Sequence, residues 1–99
     1  MDIKSAILDN AVVITIGGDL LIDGVAEAKP RIITTMGVSK DIRWDVSGVR
    51  TCDSAGIQLL LLAREYARAR GASMQVIARS TPFETACNRI GVPFDAFNL

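Results

Sequence analysis

The sequence predicts an α/β fold: a mainly parallel sheet of four to five strands, an antiparallel strand at its N-terminal end, and about three helices. Two observations carry this. From about residue 11 onward, short segments rich in β-branched or alternating apolar residues take turns with segments of helical periodicity. Before that, two strand-like segments follow each other directly across Asp9-Asn10, a turn signal that makes them a hairpin. The expected order is ββαβαβα, with a final β as an option.

Taken in order, Ile3 to Leu8 is the partner strand, and Ala11-Val12-Val13-Ile14-Thr15-Ile16 is a strand that stops at Gly17-Gly18. A helix is expected from about Gly24 to Met36, with Asp23 as a candidate cap and Gly37 as its end. Pro30 conflicts with it, since proline inside a helix costs ~3 kcal/mol, so this helix either starts near Pro30 or bends. Ile42, Trp44 and Val46 alternate with Arg43, Asp45 and Ser47 as a short strand, and Gly48 to Cys52 reads as a loop. Ala55 to Arg70 is the strongest helix, carrying Leu59 to Leu62, Ala63, Tyr66 and Ala67 and closing on Gly71. Its Arg64, Arg68 and Arg70 suit the helix dipole and read as a solvated end. Met74 to Ala78 is a further strand. In Thr81-Pro82-Phe83-Glu84, threonine is placed to cap, proline at the first helical position and glutamate to close a capping box. That helix ends near Gly91, Pro93 blocks continuation, and Phe94 to Leu99 is an edge strand or a tail.

Composition narrows the function. The 99 residues fit one domain, and with 49% hydrophobic and 22% charged residues they can build one packed core. Lys plus Arg equals Asp plus Glu at 11 each, so no global field recruits nucleic acid or an anionic membrane. Aromatic residues are 5% of the chain and do not interleave with basic ones, so no nucleic-acid partner is expected. The absence of histidine removes the commonest metal ligand and general base. Cys52 and Cys87 form no CxxC pair and are expected to be reduced thiols in or near the core. Neither a metal nor any other cofactor is indicated. The longest apolar run, Leu59 to Ala63, is far short of the ~20 residues of a membrane span, and Met1-Asp2-Ile3-Lys4 opens no signal peptide. The expectation is a soluble, cytoplasmic chain with no membrane insertion.

Chemistry concentrates at Asp53-Ser54-Ala55-Gly56, the entrance to the strongest helix, where free N–H groups and the positive end of the dipole meet. Two roles fit. Asp and Ser are among the best N-caps, and Gly56 would then serve close packing in the first turn. Alternatively Ser54 is a phosphorylation site, since a helix N-terminus stabilises a phosphate carrying about −1.5 to −2 charges. Gln58, Leu61, Glu65 and Arg68 share one polar stripe, with Ile57 one turn before Leu61. Either Leu61 and Ile57 form an apolar docking patch beside Ser54, or Leu61 packs on the sheet edge. Catalysis is not expected. A Ser-His-Asp triad is impossible, no spacing pairs Ser54 with Lys4, Lys29 or Lys40, and Gly17-Gly18-Asp19 is too short for a phosphate-binding glycine loop.

Asp45-Val46-Ser47-Gly48-Val49 followed by Asp53-Ser54-Ala55-Gly56-Ile57 resembles the STAS domain signature, a strand ending in D-[LV]-S and then D-[ST]-[SA]-G-[IL] opening a helix. Gly18-Asp19-Leu20 is similar to the family's G-[DE]-L after its second strand, and Gly71 to the glycine before the next strand. The resemblance spans about residues 11 to 92. It implies a small STAS-like βα sandwich that binds partners without being an enzyme. In the anti-sigma-factor antagonists of this family, the serine after the aspartate is phosphorylated by the anti-sigma factor, a serine kinase that is an ATPase of histidine-kinase-like fold. By position, Ser54 would be that serine and Asp53 its acidic neighbour. The partner-binding surface would then comprise Asp19, Asp23, Asp53, Ser54, Ala55, Gly56, Ile57, Gln58 and Leu61. These antagonists usually carry an acidic residue directly after G-[DE]-L, where this chain has Leu21. Other short STAS proteins implied by the resemblance bind a transporter ATPase in phospholipid transport or serve chemotaxis clusters. A homodimer is compatible with either reading.

Overall fold

A computed structural model describes residues 1–99. The hairpin is formed by β1 (Asp2–Leu8) and β2 (Ala11–Leu20), joined at Asp9 and Asn10, both at positive φ, the geometry of the tight turns that match strand twist. Then come α1 (Ile22–Met36), β3 (Asp41–Cys52), α2 (Ser54–Ala69), β4 (Ser73–Arg79), α3 (Thr81–Ile90) and a 3₁₀ turn at Phe94–Phe97. The sheet has four strands in the order β1-β2-β3-β4, with β1 antiparallel to β2 and the rest parallel.

Alternation decides which face of the sheet is covered. Val12, Ile14 and Ile16 on β2, Ile42, Trp44 and Val46 on β3, and Met74 on β4 are buried in one cluster with the helices. The opposite face carries Thr15, Arg43, Asp45 and Gln75, half-buried or exposed, so the sheet is clad on one side only. On α1, Ala28, Ile32 and Met36 recur every four residues and form its buried stripe. α2 buries a wider sector, Ile57, Leu59, Leu60, Ala63 and Ala67, because it packs on β3, β4, α1 and α3 at once. No helix is long and apolar enough to cross a membrane.

Several boundaries differ from those the sequence predicts. β2 runs on through Gly17-Gly18 to Leu20, and β3 runs on through the expected loop to Cys52, because the two extensions pair with each other. Gly17 faces Gly48 in that ladder, so two residues that usually interrupt strands match across one step, with register shifts on either side. α1 starts at Ile22 and keeps Pro30 inside it; both Pro30 and Ala26, whose carbonyl lacks the usual N–H from residue 30, are exposed and open to water. Asp23 lies in the first turn of α1 and does not cap it. The cap of α3 is Ser80, which accepts the Phe83 N–H at 3.2 Å, while Glu84 pairs with Arg79 at 3.1 Å instead of closing a box on Thr81. Gly71 and Gly91 do end α2 and α3 at positive φ, with Ala72 and Val92 donating back to Ala67 and Cys87.

The C-terminal stretch is neither a full strand nor a loose tail. Phe97 is buried against Phe83, and Leu99 exchanges two backbone hydrogen bonds with Met74, one step of ladder on the outer edge of β4. Two arginines of the expected solvated cluster are likewise engaged. Arg70 donates to the Met36 and Gly37 carbonyls and closes the C-terminus of α1, and Arg64 donates to the Asn98 carbonyl.

Candidate functional site

The carboxyl ends of β2 and β3 lie side by side, and α1 and α2 begin there, the general location of sites in open parallel sheets. Asp53 organises the place. In extended conformation, it caps α2 by accepting the Gly56 N–H on Oδ1 at 3.2 Å. Its Oδ2 accepts the Ile22 N–H at 3.1 Å and so caps α1 as well, a helix whose own Leu21 supplies no side-chain cap. Its N–H donates to the Leu20 carbonyl at 3.3 Å. One residue thus ties the first turns of two helices together through its carboxylate and to the end of β2 through its backbone N–H.

Gly56 explains how α2 comes so near. A Cβ there would lie 2.6 Å from Leu20 Cγ, 2.8 Å from the Leu20 carbonyl oxygen and 3.0 Å from Cys52 Sγ. Close packing in the first turn is therefore a requirement of this site.

Ser54 is the first residue of α2, exposed, and its hydroxyl takes part in no hydrogen bond of the chain. Of the two candidate caps, the structure uses Asp53, which leaves the serine oxygen uncommitted. The Ser54 and Ala55 N–H groups also find no acceptor within the chain. An exposed hydroxyl thus stands beside free backbone donors and the positive end of a sixteen-residue helix.

The other predicted positions divide by burial. Asp19, Asp23 and Gln58 are exposed, Ala55 and Leu61 are half-buried, and Gly56 and Ile57 are buried. Ile57 has no exposed surface and belongs to the core, so it cannot form a docking patch. Returning such a side chain to the surface would cost roughly 2–3 kcal/mol. Leu61 is half-buried and packs against the core cluster. Asp19 is held by the Thr51 hydroxyl at 2.8 Å, with Arg50 4.0 Å away.

An exposed aliphatic pair beside Ser54 is not legible in the sequence, where Leu21 stands out only for lacking the usual acid and Ile22 not at all. Leu21 and Ile22 are 36% and 65% exposed, and the Ile22–Asp53 bond brings them to the Ser54 site. Two consecutive aliphatic residues at the surface were a usable signal, but their closeness to Ser54 rests on a contact spanning 31 residues of sequence.

Cys52 is half-buried and Cys87 fully buried, both free thiols. Burial, with a smaller contribution from Asp53, pushes the Cys52 thiol up to about 11, and burial also raises Cys87. Neither is activated as a nucleophile. No three Cys, Asp or Glu side chains gather to hold a metal ion.

Comparison with known proteins bears on the family and the fold. A family model described as "Mlab, STAS domain" matches residues 3–93. The anti-sigma factor antagonist SpoIIAA in its unphosphorylated form superposes with a TM-score of 0.75 at 19% identity, covering 92% of this chain and 82% of its own. A Thermotoga maritima protein described as a candidate anti-sigma factor antagonist gives 0.77 at 15% identity, covering 90% and 78%. Both likenesses are of fold. Among curated proteins there is no match.

Proposed function

The chain belongs to the STAS domain family, and from that premise we propose that it is a non-enzymatic binding module of the anti-sigma-factor antagonist kind, gated by phosphorylation of Ser54 by a partner serine kinase. The observation that carries this reading is the division of labour between Asp53 and Ser54. Asp53 alone caps α2, so the Ser54 oxygen can be modified without removing a structural hydrogen bond. A phosphate there meets the free Ser54 and Ala55 N–H groups, so the fold tolerates it. Its charge stands by Leu21 and Ile22, brought to the site by the Ile22–Asp53 bond, and turns an exposed apolar surface strongly anionic. The non-enzymatic part rests on the sequence, which has no histidine to serve as the commonest general base.

A second reading has one specific observation in its favour. The matching family model is described by Mlab, and Leu21 makes the surface apolar where the antagonists usually carry acid. On that reading the chain is the STAS subunit of a phospholipid-transport complex, binds its transporter ATPase constitutively, and leaves Ser54 unmodified.

Pull-downs from the native host with wild-type and Ser54→Glu baits, read by mass spectrometry, separate the two. A histidine-kinase-like ATPase captured by wild type and lost with Ser54→Glu, together with phosphoserine at Ser54, is the expected result. A transporter ATPase or chemotaxis proteins captured equally by both baits would overturn the gating.

A further inference from the structure

Away from the Ser54 site, α1 and α2 enclose an apolar cleft of about 350 Å³, inside the roughly 300–1,000 Å³ range of small-molecule sites. Met36, Leu59 and Ala63 are buried at its base, and Ile33 and Leu62 keep part of their surface open to it. Only Lys29 and Glu65 bring formal charge to its lining. These two charges are not equivalent. Glu65 is already neutralised, 3.3 Å from Arg64 and 3.5 Å from Arg68. Lys29 takes part in none of the ion pairs of the fold. The cleft therefore presents an apolar interior and one unmatched positive charge.

We propose that this cleft binds a small aliphatic carboxylate, its chain lying among Ile33, Met36 and Leu62 and its carboxylate paired with the Lys29 ammonium. A partner helix is the poorer occupant. Leu62 is the one large apolar side chain of the lining that is strongly exposed, at 46%, and a docking helix needs a row of such anchors. A short chain with one anionic end matches both the volume and the single free charge. The inference does not depend on phosphorylation of Ser54.

The test is a titration of the isolated chain with octanoate, and separately with octan-1-ol, followed by methyl NMR shifts of Ile33, Met36 and Leu62. Octanoate is expected to shift these methyls saturably and to bind more tightly than the alcohol. Lys29→Glu should weaken octanoate about fivefold, the scale of an exposed charge pair, and leave octan-1-ol unchanged. Lys29 is exposed, so the variant should keep its melting temperature; Lys29→Met, which retains the stem, provides the second measurement if it does not. Absence of saturable shifts at these methyls would overturn the proposal. So would octanoate binding indifferent to both Lys29 variants, or shifts that track protein concentration instead of ligand.

Discussion

Replacing Gly56 by alanine tests the tightest contact of the site. The new methyl would stand 2.8 Å from the Leu20 carbonyl oxygen and 2.6 Å from Leu20 Cγ, against about 3.4 Å for an ordinary contact, so α2 or the end of β2 must yield by about 0.6 Å or more. Neither is free to do so. The Leu20 oxygen is held by the Asp53 N–H, and Leu20 is wholly buried. Overpacking of this kind costs about 1–3 kcal/mol. Alanine's better helix propensity returns up to about 1 kcal/mol, so mid-range values of the two effects leave a net loss of about 1.5 kcal/mol. For a chain of this length that lowers the melting temperature by roughly 5–15 °C. Urea denaturation followed by circular dichroism measures it, with Gly48→Ala as a comparator because a Cβ there meets nothing nearer than 3.4 Å. A Gly56→Ala protein as stable as wild type, or less affected than Gly48→Ala, would refute the account of how α2 is seated.

Asp53→Ala removes one acceptor from each of two helix starts and should cost about 2 kcal/mol at ~1 kcal/mol per cap; denaturation of Asp53→Ala beside Ser80→Ala, a single cap, checks that the first is roughly twice the second. Leu61→Glu should destabilise by about 1–3 kcal/mol because its side chain packs on the core, whereas Leu62→Glu should change stability by no more than about 0.5 kcal/mol, and thermal melts of the pair decide. The raised Cys52 thiol disfavours the thiolate in the fold, so its contribution is intact below the ordinary thiol range and is lost as pH rises from about 9 towards about 11. Chemical denaturation across that window should show wild-type stability falling more steeply than that of Cys52→Ala, and parallel profiles would contradict the assignment.

Much of this architecture can be read from local pattern, and the exceptions share a cause. The Gly71 and Gly91 stops and the Asp9-Asn10 turn depend on residues close to each other in sequence. The continuation of β2 and β3 beyond Gly17 and Gly48 does not, since each glycine is a break by itself and becomes a strand residue only opposite the other. Ser80 and Thr81 are both good caps, and local chemistry does not rank two such neighbours. At the site, Ser54 and Asp53 could be picked out from their position before a helix, but the second oxygen of Asp53 serves a helix start far away in sequence. The docking-patch expectation for Ile57 fails against its full burial for a related reason. The apolar sector of α2 is wide because α1, α3, β3, β4 and the 3₁₀ turn all pack on that helix, and periodicity does not mark where such a sector ends.

The order of strands in space is also their order in the chain, and this shapes how the molecule assembles. Each strand adds to the outer edge of the one made before it, and none has to insert between two that are already paired. The hairpin of β1 and β2 closes over two residues, a microsecond event, and offers β2 as a template for β3, after which β3 offers itself to β4. The long-range closures that remain, Phe97 onto Phe83 and Leu99 onto Met74, come last in the chain and finish the free margin of the sheet. A nascent chain emerging from its N-terminal end can therefore build this sheet in the direction in which it is synthesised, with growth confined to the edge opposite β1 at each stage.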